Sequence, residues 1–199
     1  MLIFTEHNFV FLESPKAASS SIHRAIAKYA TIVFRNHPHV RHFSHRRYEM
    51  TIEPMLLKHY WDSPGETSAV IREPMDWMQS WYQFRARPAI DGRPQSTKGV
   101  SFEDFAIAFM DKNGAEYGNL GTQAQFLTNK SKKLPDTIWR FDELTGYEAY
   151  LSAKLNADIS FIKRNASERR DIEISPETKR ALMDYFAPDY EIYENARSR

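Results

Sequence analysis

No cysteine occurs among the 199 residues of this chain. That excludes disulfides, thiolate catalysis and cysteine-type zinc sites together, and it fits a reducing compartment. An excess of charge is missing too: 27 Lys and Arg against 26 Asp and Glu leave a net charge of +1. The chain as a whole is therefore not built to wrap nucleic acid, and any anion site must come from local placement of charge. Long hydrophobic runs are lacking. The opening "MLIFTEHNFVFLESPK" has no basic segment, and Glu6, His7 and Asn8 break its apolar run, so neither a secretory signal nor a membrane span is expected and the cytoplasm is the default location. There is also no repeat, no low-complexity tract and no G-x-x-x-x-G-K-[ST] loop.

What is present suits a globular α/β domain. The apolar fraction is 42% and the aromatic fraction 14%, enough for a substantial core, and the length fits one domain over residues 1–199. "NFVFLE" (Asn8 to Glu13) reads as a short buried strand, "TIVFR" (Thr31 to Arg35) as a second and "TSAVIREP" (Thr67 to Pro74) as a third. "DTIWRF" (Asp136 to Phe141) follows as another, and "DISFI" as a short strand or loop. Helical periods fall between them. Ile22, Ala25, Ile26 and Tyr29 share one face, Trp77, Trp81 and Phe84 another, and Phe102, Phe105, Ala106 and Phe109 a third behind a Ser101/Asp104 cap. "TQAQFL" and "LTGYEAYLSAKLN" are helical as well. Ser175 and Pro176 open a single last helix carrying Leu182, Met183, Phe186 and Tyr190. Residues 36–47, "NHPHVRHFSHRR", hold four of the seven histidines and read as a solvated polar loop. Strands alternating with helices predict a mainly parallel sheet covered on both faces.

The most informative stretch is "FLESPKAASSSIHRAIAKY". A strand ends at Glu13, Lys16 follows, and Ser19, Ser20 and Ser21 stand at the mouth of a helix. Free backbone N–H groups, the helix dipole, one lysine and three hydroxyls together make a cradle for a phosphate-like group, although serines in that position also serve simply as helix caps. A second stretch, "VIREPMDWMQSWY", puts Arg72 at a strand end and Ser80 on the helix after it. Eight residues of helix span roughly 12 Å, and the Glu73-Pro74 turn shortens the path, so both side chains can meet one further anion.

"SPKAASSSI" with "AVIREPMDWMQSWY" resembles the nucleotide site of sulfotransferases that use 3′-phosphoadenosine 5′-phosphosulfate (PAPS), the carbohydrate-type enzymes in particular, where "PK-x-x-x-[ST]-S" precedes "R-[DN]-P…S-x-Y". "RHFSHRR", "TQAQFL", "TIWRFDEL" and "APDYEIY" resemble later segments of that family, so the likeness covers about residues 8–193. It implies a P-loop-like three-layer α/β/α fold with a central, mainly parallel sheet. It also implies that Lys16, Ala17, Ala18, Ser19, Ser20 and Ser21 hold the 5′-phosphosulfate, that Arg72 and Ser80 hold the 3′-phosphate, and that Arg164, Asn165 and Ser167 approach the nucleotide from the C-terminal segment. Relatives often have Gly where this chain has Ser19, and Asp142-Glu143 shifts the usual acid.

The implied reaction moves a sulfuryl group from PAPS to a hydroxyl, less readily an amine, of a carbohydrate or small molecule, leaving 3′,5′-adenosine bisphosphate. Lys16 would stabilise charge on the departing oxygen. A general base is needed: His42 is the first candidate, Glu13 the second, and His39 and His45 follow. The histidine spacings permit pairs of metal ligands, but no carboxylate completes a set and no metal is required. Arg41, Arg46 and Arg47 either attract an acidic acceptor or face water. Trp77, Trp81, Tyr82 and Phe84 form either core or a wall against which a sugar stacks. Two other readings stay open: a small-molecule kinase on a P-loop-like fold, and a non-catalytic nucleotide- or glycan-binding protein. The acceptor's identity and the oligomeric state are not legible.

Overall fold

Leu2–Phe4 and Phe9–Leu12 are wholly apolar, and they fold back on one another as an antiparallel hairpin, β1 and β2. The computed structural model describes residues 1–111, 114–161 and 173–197. The polar residues that interrupt the apolar run at the start of the chain make the turn: a 3₁₀ segment over Thr5–His7, then Asn8 in the left-handed region at φ 48°. Asparagine tolerates that conformation better than most residues. All seven residues of the two strands are buried, which is why they read as continuous apolar runs and not as alternation.

In chain order the hairpin is followed by α1 (Ser19–Ile26), β3 (Ile32–Val33), α2 (Pro38–Arg41), α3 (His45–Thr51), α4 (Glu53–His59), β4 (Glu66–Ile71) and α5 (Pro74–Arg85). Then come α6 (Phe102–Met110), α7 (Gln123–Leu127), β5 (Thr137–Arg140), α8 (Leu144–Leu155), α9 (Pro176–Tyr185) and α10 (Ala187–Asn195). The sheet order is β3-β1-β2-β4-β5. It is a mixed sheet and corrects the expectation of a mainly parallel one: β2, β4 and β5 are parallel neighbours, whereas β1 runs antiparallel to both β2 and β3. The reversal comes from the hairpin, whose first strand is too short to be read as one. The Asp136 carboxylate ties the start of β4 to that of β5 by accepting from the Thr67 N–H (2.7 Å) and hydroxyl (2.8 Å).

Helices cover both faces of the sheet. Ile3, Val10, Leu12, Ala69, Ile71 and Ile138 pack toward Tyr48, Leu56, Leu127 and Ile192. Leu2, Phe4, Phe9, Phe11, Val70 and Trp139 pack toward Ile22, Ile26, Tyr147 and Leu151. A third cluster, off the sheet, joins Trp77 and Met78 of α5 to Phe102, Phe105 and Phe109 of α6 and to Leu182 and Phe186.

Several local signals act as expected. The hydroxyls of Ser101 and Ser175 accept the N–H three residues on, and the structure adds a full capping box of Thr122 with Gln125 on α7 that the sequence reading does not name. Other segments differ. The histidine-rich stretch is largely helical, with Pro38 in the first turn of α2 and Ser44 capping α3. The expected single last helix breaks at Phe186 into α9 and α10, where Pro188 stands in a first turn and cannot continue the preceding helix. Met183 is 47% exposed, while Leu182 and Phe186 are buried. The stretch from Asp158 to Phe161 forms no strand. Among the described residues no helix is long and apolar enough to cross a membrane.

Trp77 joins the third core to the turn that carries Lys16. Its ring lies edge-on to Phe109 and Phe186, both at 6.3 Å, and its Nε1–H donates to the Pro15 carbonyl at 3.0 Å. Trp77→Ala is expected to cost about 3–5 kcal/mol in urea unfolding; a loss below about 1 kcal/mol would separate this core from the stability of the fold.

Candidate functional site

Parallel strands bring their carboxyl ends together, and in open α/β sheets that edge collects ligands. Here Leu12 of β2 pairs with Ala69 of β4, and Ile71 of β4 with Arg140 of β5. The chain therefore leaves the sheet at Glu13, Arg72 and Phe141 along one edge.

Between β2 and α1, Lys16 (φ 65°) and Ala18 (φ 56°) both adopt the left-handed region, one on each side of Ala17. Alternation of this kind turns successive N–H groups toward one concavity, a nest for anions. The N–H groups of Ala17, Ala18, Ser19 and Ser20 find no acceptor among the described residues, whereas that of Ser21 bonds the Ala18 carbonyl (2.9 Å). Ser19 is buried, Ser21 is half-buried, and the exposed Ser20 accepts a bond from Arg41 Nη2 (3.2 Å). Strain thus falls on Lys16 and Ala18, not on Ser19, which is already helical.

Lys16 itself is half-buried, with its Nζ 4.3 Å from the Phe84 ring centroid and 6.0 Å from that of Trp81. The Arg87 guanidinium lies 3.6 Å from the same Phe84 centroid. No carboxylate among the described residues pairs with Lys16 or Arg87. Burial, then the charges of Arg87 and Arg72, lower the Lys16 pKa to about 8. Arg72 reaches the same turn: its Nη1 donates to the Lys16 carbonyl (3.4 Å), and its guanidinium lies 4.6 Å from the Phe141 centroid. Ser80 is half-exposed on α5, one helical turn before Phe84 on the same stripe. Arg164, Asn165 and Ser167 lie outside the described residues.

The Arg72 backbone is clamped. The side-chain amide of Gln123 accepts from its N–H (2.9 Å) and donates to its carbonyl (2.7 Å). Gln123 is held in turn by buried Asp189, whose Oδ1 accepts the N–H groups of Gln123 (2.8 Å) and Ala124 (3.1 Å). Tyr190 donates to Glu73 (2.7 Å), and Arg140 bonds Tyr193 (2.9 Å) and Asp142 (2.7 Å). The segments "TQAQFL", "TIWRFDEL" and "APDYEIY" are therefore the scaffold behind Arg72.

Glu13 is fully buried, and both its carboxylate oxygens are occupied. Oε1 receives the Met1 ammonium (2.7 Å) and His23 Nδ1 (2.8 Å), and Oε2 receives Arg41 Nε (2.7 Å). Burial pushes this carboxyl up, but the Met1 ammonium, His23 and Arg41 outweigh it and hold the pKa below the ordinary value of 4.5. A carboxylate so engaged is an anchor and a poor base. His42 has the opposite character. Its Nδ1 lies 2.6 Å from the Glu13 carbonyl and so donates, which makes Nε2 the nitrogen with a lone pair in the neutral ring, without a partner among the described residues. Burial lowers its pKa, more than the bond to Glu13 raises it. His45 is buried with Nδ1 on the Leu127 carbonyl (3.0 Å), while His37 and His39 lie ring to ring on the surface. Arg41 is turned inward to Glu13, Arg46 faces water, and Arg47 covers Phe43. Among the described residues no three His, Asp or Glu side chains gather as a metal-ligand set.

Arg87, Gln123, His23 and Asp189 are the residues that the sequence pattern left unassigned. No protein-family model, no curated protein and no solved structure matches this chain.

Glu13→Gln leaves its cationic partners buried around a neutral amide and is expected to cost about 3–5 kcal/mol in urea unfolding at pH 7. Because the native carboxyl titrates below its unfolded value, its contribution is complete above pH 4.5 and declines as the pH falls through the lowered native value. The gap between wild type and variant should shrink toward low pH; equal midpoints at pH 7 would remove Glu13 as the anchor.

Proposed function

We propose that this protein is a PAPS-dependent sulfotransferase, with a P-loop-like three-layer arrangement in which the Glu13–Ser19 turn takes the place of the phosphate loop. The observation that carries the reading is the convergence of two separately encoded anion elements: the Arg72 side chain bonds the Lys16 backbone, at the edge where three parallel strands end. Lys16 and Arg87 also gather positive charge there without a carboxylate partner among the described residues. That is the environment a multiply charged anion requires.

The donor supplies an SO₃ group on a phosphate leaving group. In this reading Arg72 and Ser80 grip the 3′-phosphate. The N–H groups of Ala17 to Ser20 and the Lys16 ammonium meet the 5′ end, and Arg87, beside Lys16 on Phe84, joins them. His42 Nε2 takes the proton of the acceptor hydroxyl as its oxygen bonds sulfur and the sulfur–phosphate oxygen bond breaks, the electron pair leaving with the phosphate. Lys16 neutralises charge on that departing oxygen. Glu13 serves as a positioning residue through its carbonyl.

Thermal shift separates this reading from its competitors. At 100 times its Kd, 3′,5′-adenosine bisphosphate should stabilise by about 2.7 kcal/mol, exceeding 5′-AMP and ATP with Mg²⁺. Arg72→Ala should abolish its advantage over 5′-AMP, and Arg87→Ala should weaken it. A larger shift with ATP and Mg²⁺ would favour the kinase, and bisphosphate binding without transfer to any acceptor would favour a binding protein.

With labelled donor, Lys16→Ala should lower turnover about 10²–10³-fold. His42→Ala should lower it about 10²–10⁴-fold while leaving bisphosphate binding intact. The pH profile should be bell-shaped. His42 must be neutral, so activity falls as pH drops through a value below 6.5; Lys16 must be charged, so nucleotide affinity declines as pH rises through about 8. A flat profile between pH 5 and 9 would sink both assignments.

A further inference from the structure

Ile52 donates to the Tyr48 carbonyl (2.9 Å) and accepts from the Leu56 N–H (3.1 Å), so the helical register carries from α3 into α4. One stripe of the pair, His45, Tyr48, Ile52 and Leu56, is buried. The opposite stripe, Arg46, Met50, Pro54 and Leu57, is exposed, and Tyr60 follows one turn later. Six large hydrophobic side chains are exposed among the described residues, and four of them gather here: Met50 (56%), Leu57, Tyr60, and Leu134 on the adjoining loop. The other two, Ile107 and Met183, stand on α6 and α9.

The loop is fixed to α3 by Glu49, which precedes Met50. Its carboxylate accepts from Asn129 Nδ2 (3.0 Å), the Lys130 N–H (2.8 Å) and the Ser131 hydroxyl (3.4 Å). Asn129 closes the loop on itself, donating its N–H to the Lys133 carbonyl (2.9 Å) and taking the Lys133 N–H on Oδ1 (2.8 Å). Lys130, Lys132 and Lys133 are thereby presented, all exposed, beside the apolar stripe. Arg46 and Lys58 flank it on the helices. None of these five cations pairs with a carboxylate among the described residues. The carboxylates nearby are engaged or withdrawn: Glu49 holds the loop, Asp136 accepts from Thr67 (2.7 Å), and Glu53 is half-buried. On a chain of net charge +1, this face concentrates uncancelled positive charge around apolar side chains.

We propose that this face docks the protein on a bilayer surface rich in anionic phospholipid. The lysines and Arg46 meet the headgroups, and Met50, Leu57 and Leu134 enter the boundary with the acyl chains. The proposal does not depend on the sulfotransferase reading. A nucleic acid or an acidic polysaccharide would use the cations and leave the apolar side chains in water. The core of a protein interface is poor in lysine, whereas lysine dominates here. A second copy across a two-fold axis would set like charges against one another.

Co-sedimentation of the full chain with vesicles tests this. The protein should pellet with phosphatidylcholine vesicles carrying about one third phosphatidylserine, remain in solution with phosphatidylcholine alone, and be released at about 1 M salt. Lys130→Gln, Lys132→Gln and Lys133→Gln together should weaken binding about a hundredfold, about fivefold for each charge. Met50→Ser with Leu57→Ser should weaken it about tenfold and leave the melting temperature unchanged, since both side chains already face water. Lys179→Gln, exposed on α9, should change nothing. Pelleting with both kinds of vesicle alike, or with neither, overturns the proposal. Undiminished binding by the Met50/Leu57 variant, with polyuridylate or heparin held as tightly as vesicles, assigns the face to polyanions in general and overturns the lipid partner. A dimer in sedimentation equilibrium that the Met50/Leu57 variant abolishes assigns it to a second copy and does the same. The bisphosphate-induced thermal shift should persist in every variant, so failure here leaves the donor reading standing.

Discussion

The Glu13 carboxylate has no access to water, and a buried charge persists only where other groups replace its hydration. Here the replacements come from three places: the Met1 ammonium at the start of β1, His23 on α1, and Arg41 at the end of α2. One side chain therefore locks the end of β2 to the hairpin, to the helix behind the Lys16 turn and to the segment that carries His42. Its backbone carbonyl completes the arrangement by taking the His42 Nδ1 proton. The turn, the helix mouth and the available imidazole nitrogen are set by a single buried anion and the peptide group attached to it.

The Arg72 side of the site is supported by a different device. An amide anchors its backbone, with Gln123 matching the N–H and carbonyl of Arg72 as a neighbouring strand would. Asp189 then fixes Gln123 from α10, accepting the first N–H groups of α7 where the helix dipole favours a negative charge. Burial nevertheless raises the Asp189 pKa to about 6, so its charge carries a desolvation cost at neutral pH that acidification relieves, the reverse of the behaviour of Glu13. The C-terminal helix thus serves the site without touching it.

Local features of this architecture were legible and long-range ones were not. The caps at Ser101 and Ser175 lie within three residues of what they bind, and the buried strands announce themselves by composition. The three apolar residues of β1 make no pattern, so the sequence does not show the mixed character of the sheet. The histidine stretch looked like a loop by polarity, yet Pro38 and Ser44 are helix-start signals that outweigh it. Glu13 suggested a base because it stands before the cradle; its three partners lie 10 to 28 residues away, where spacing carries no information. Arg87 was invisible for the same reason. It meets Lys16 only because both lie on the Phe84 ring.

That shared ring bears on why the free protein tolerates such a turn. Lys16 and Ala18 occupy a left-handed conformation that costs non-glycine residues about 1–3 kcal/mol each, and Lys16 is desolvated beside two arginines. A contact between a cation and an aromatic face returns only about 0.5–1 kcal/mol at a partly exposed site. The deficit stays in the free state, borne by the anchors at Glu13, Trp77 and Gln123. In the proposed reading an anion entering the turn would meet N–H groups already turned toward it and a desolvated ammonium that it pairs, so binding would relieve a cost that folding has left in place.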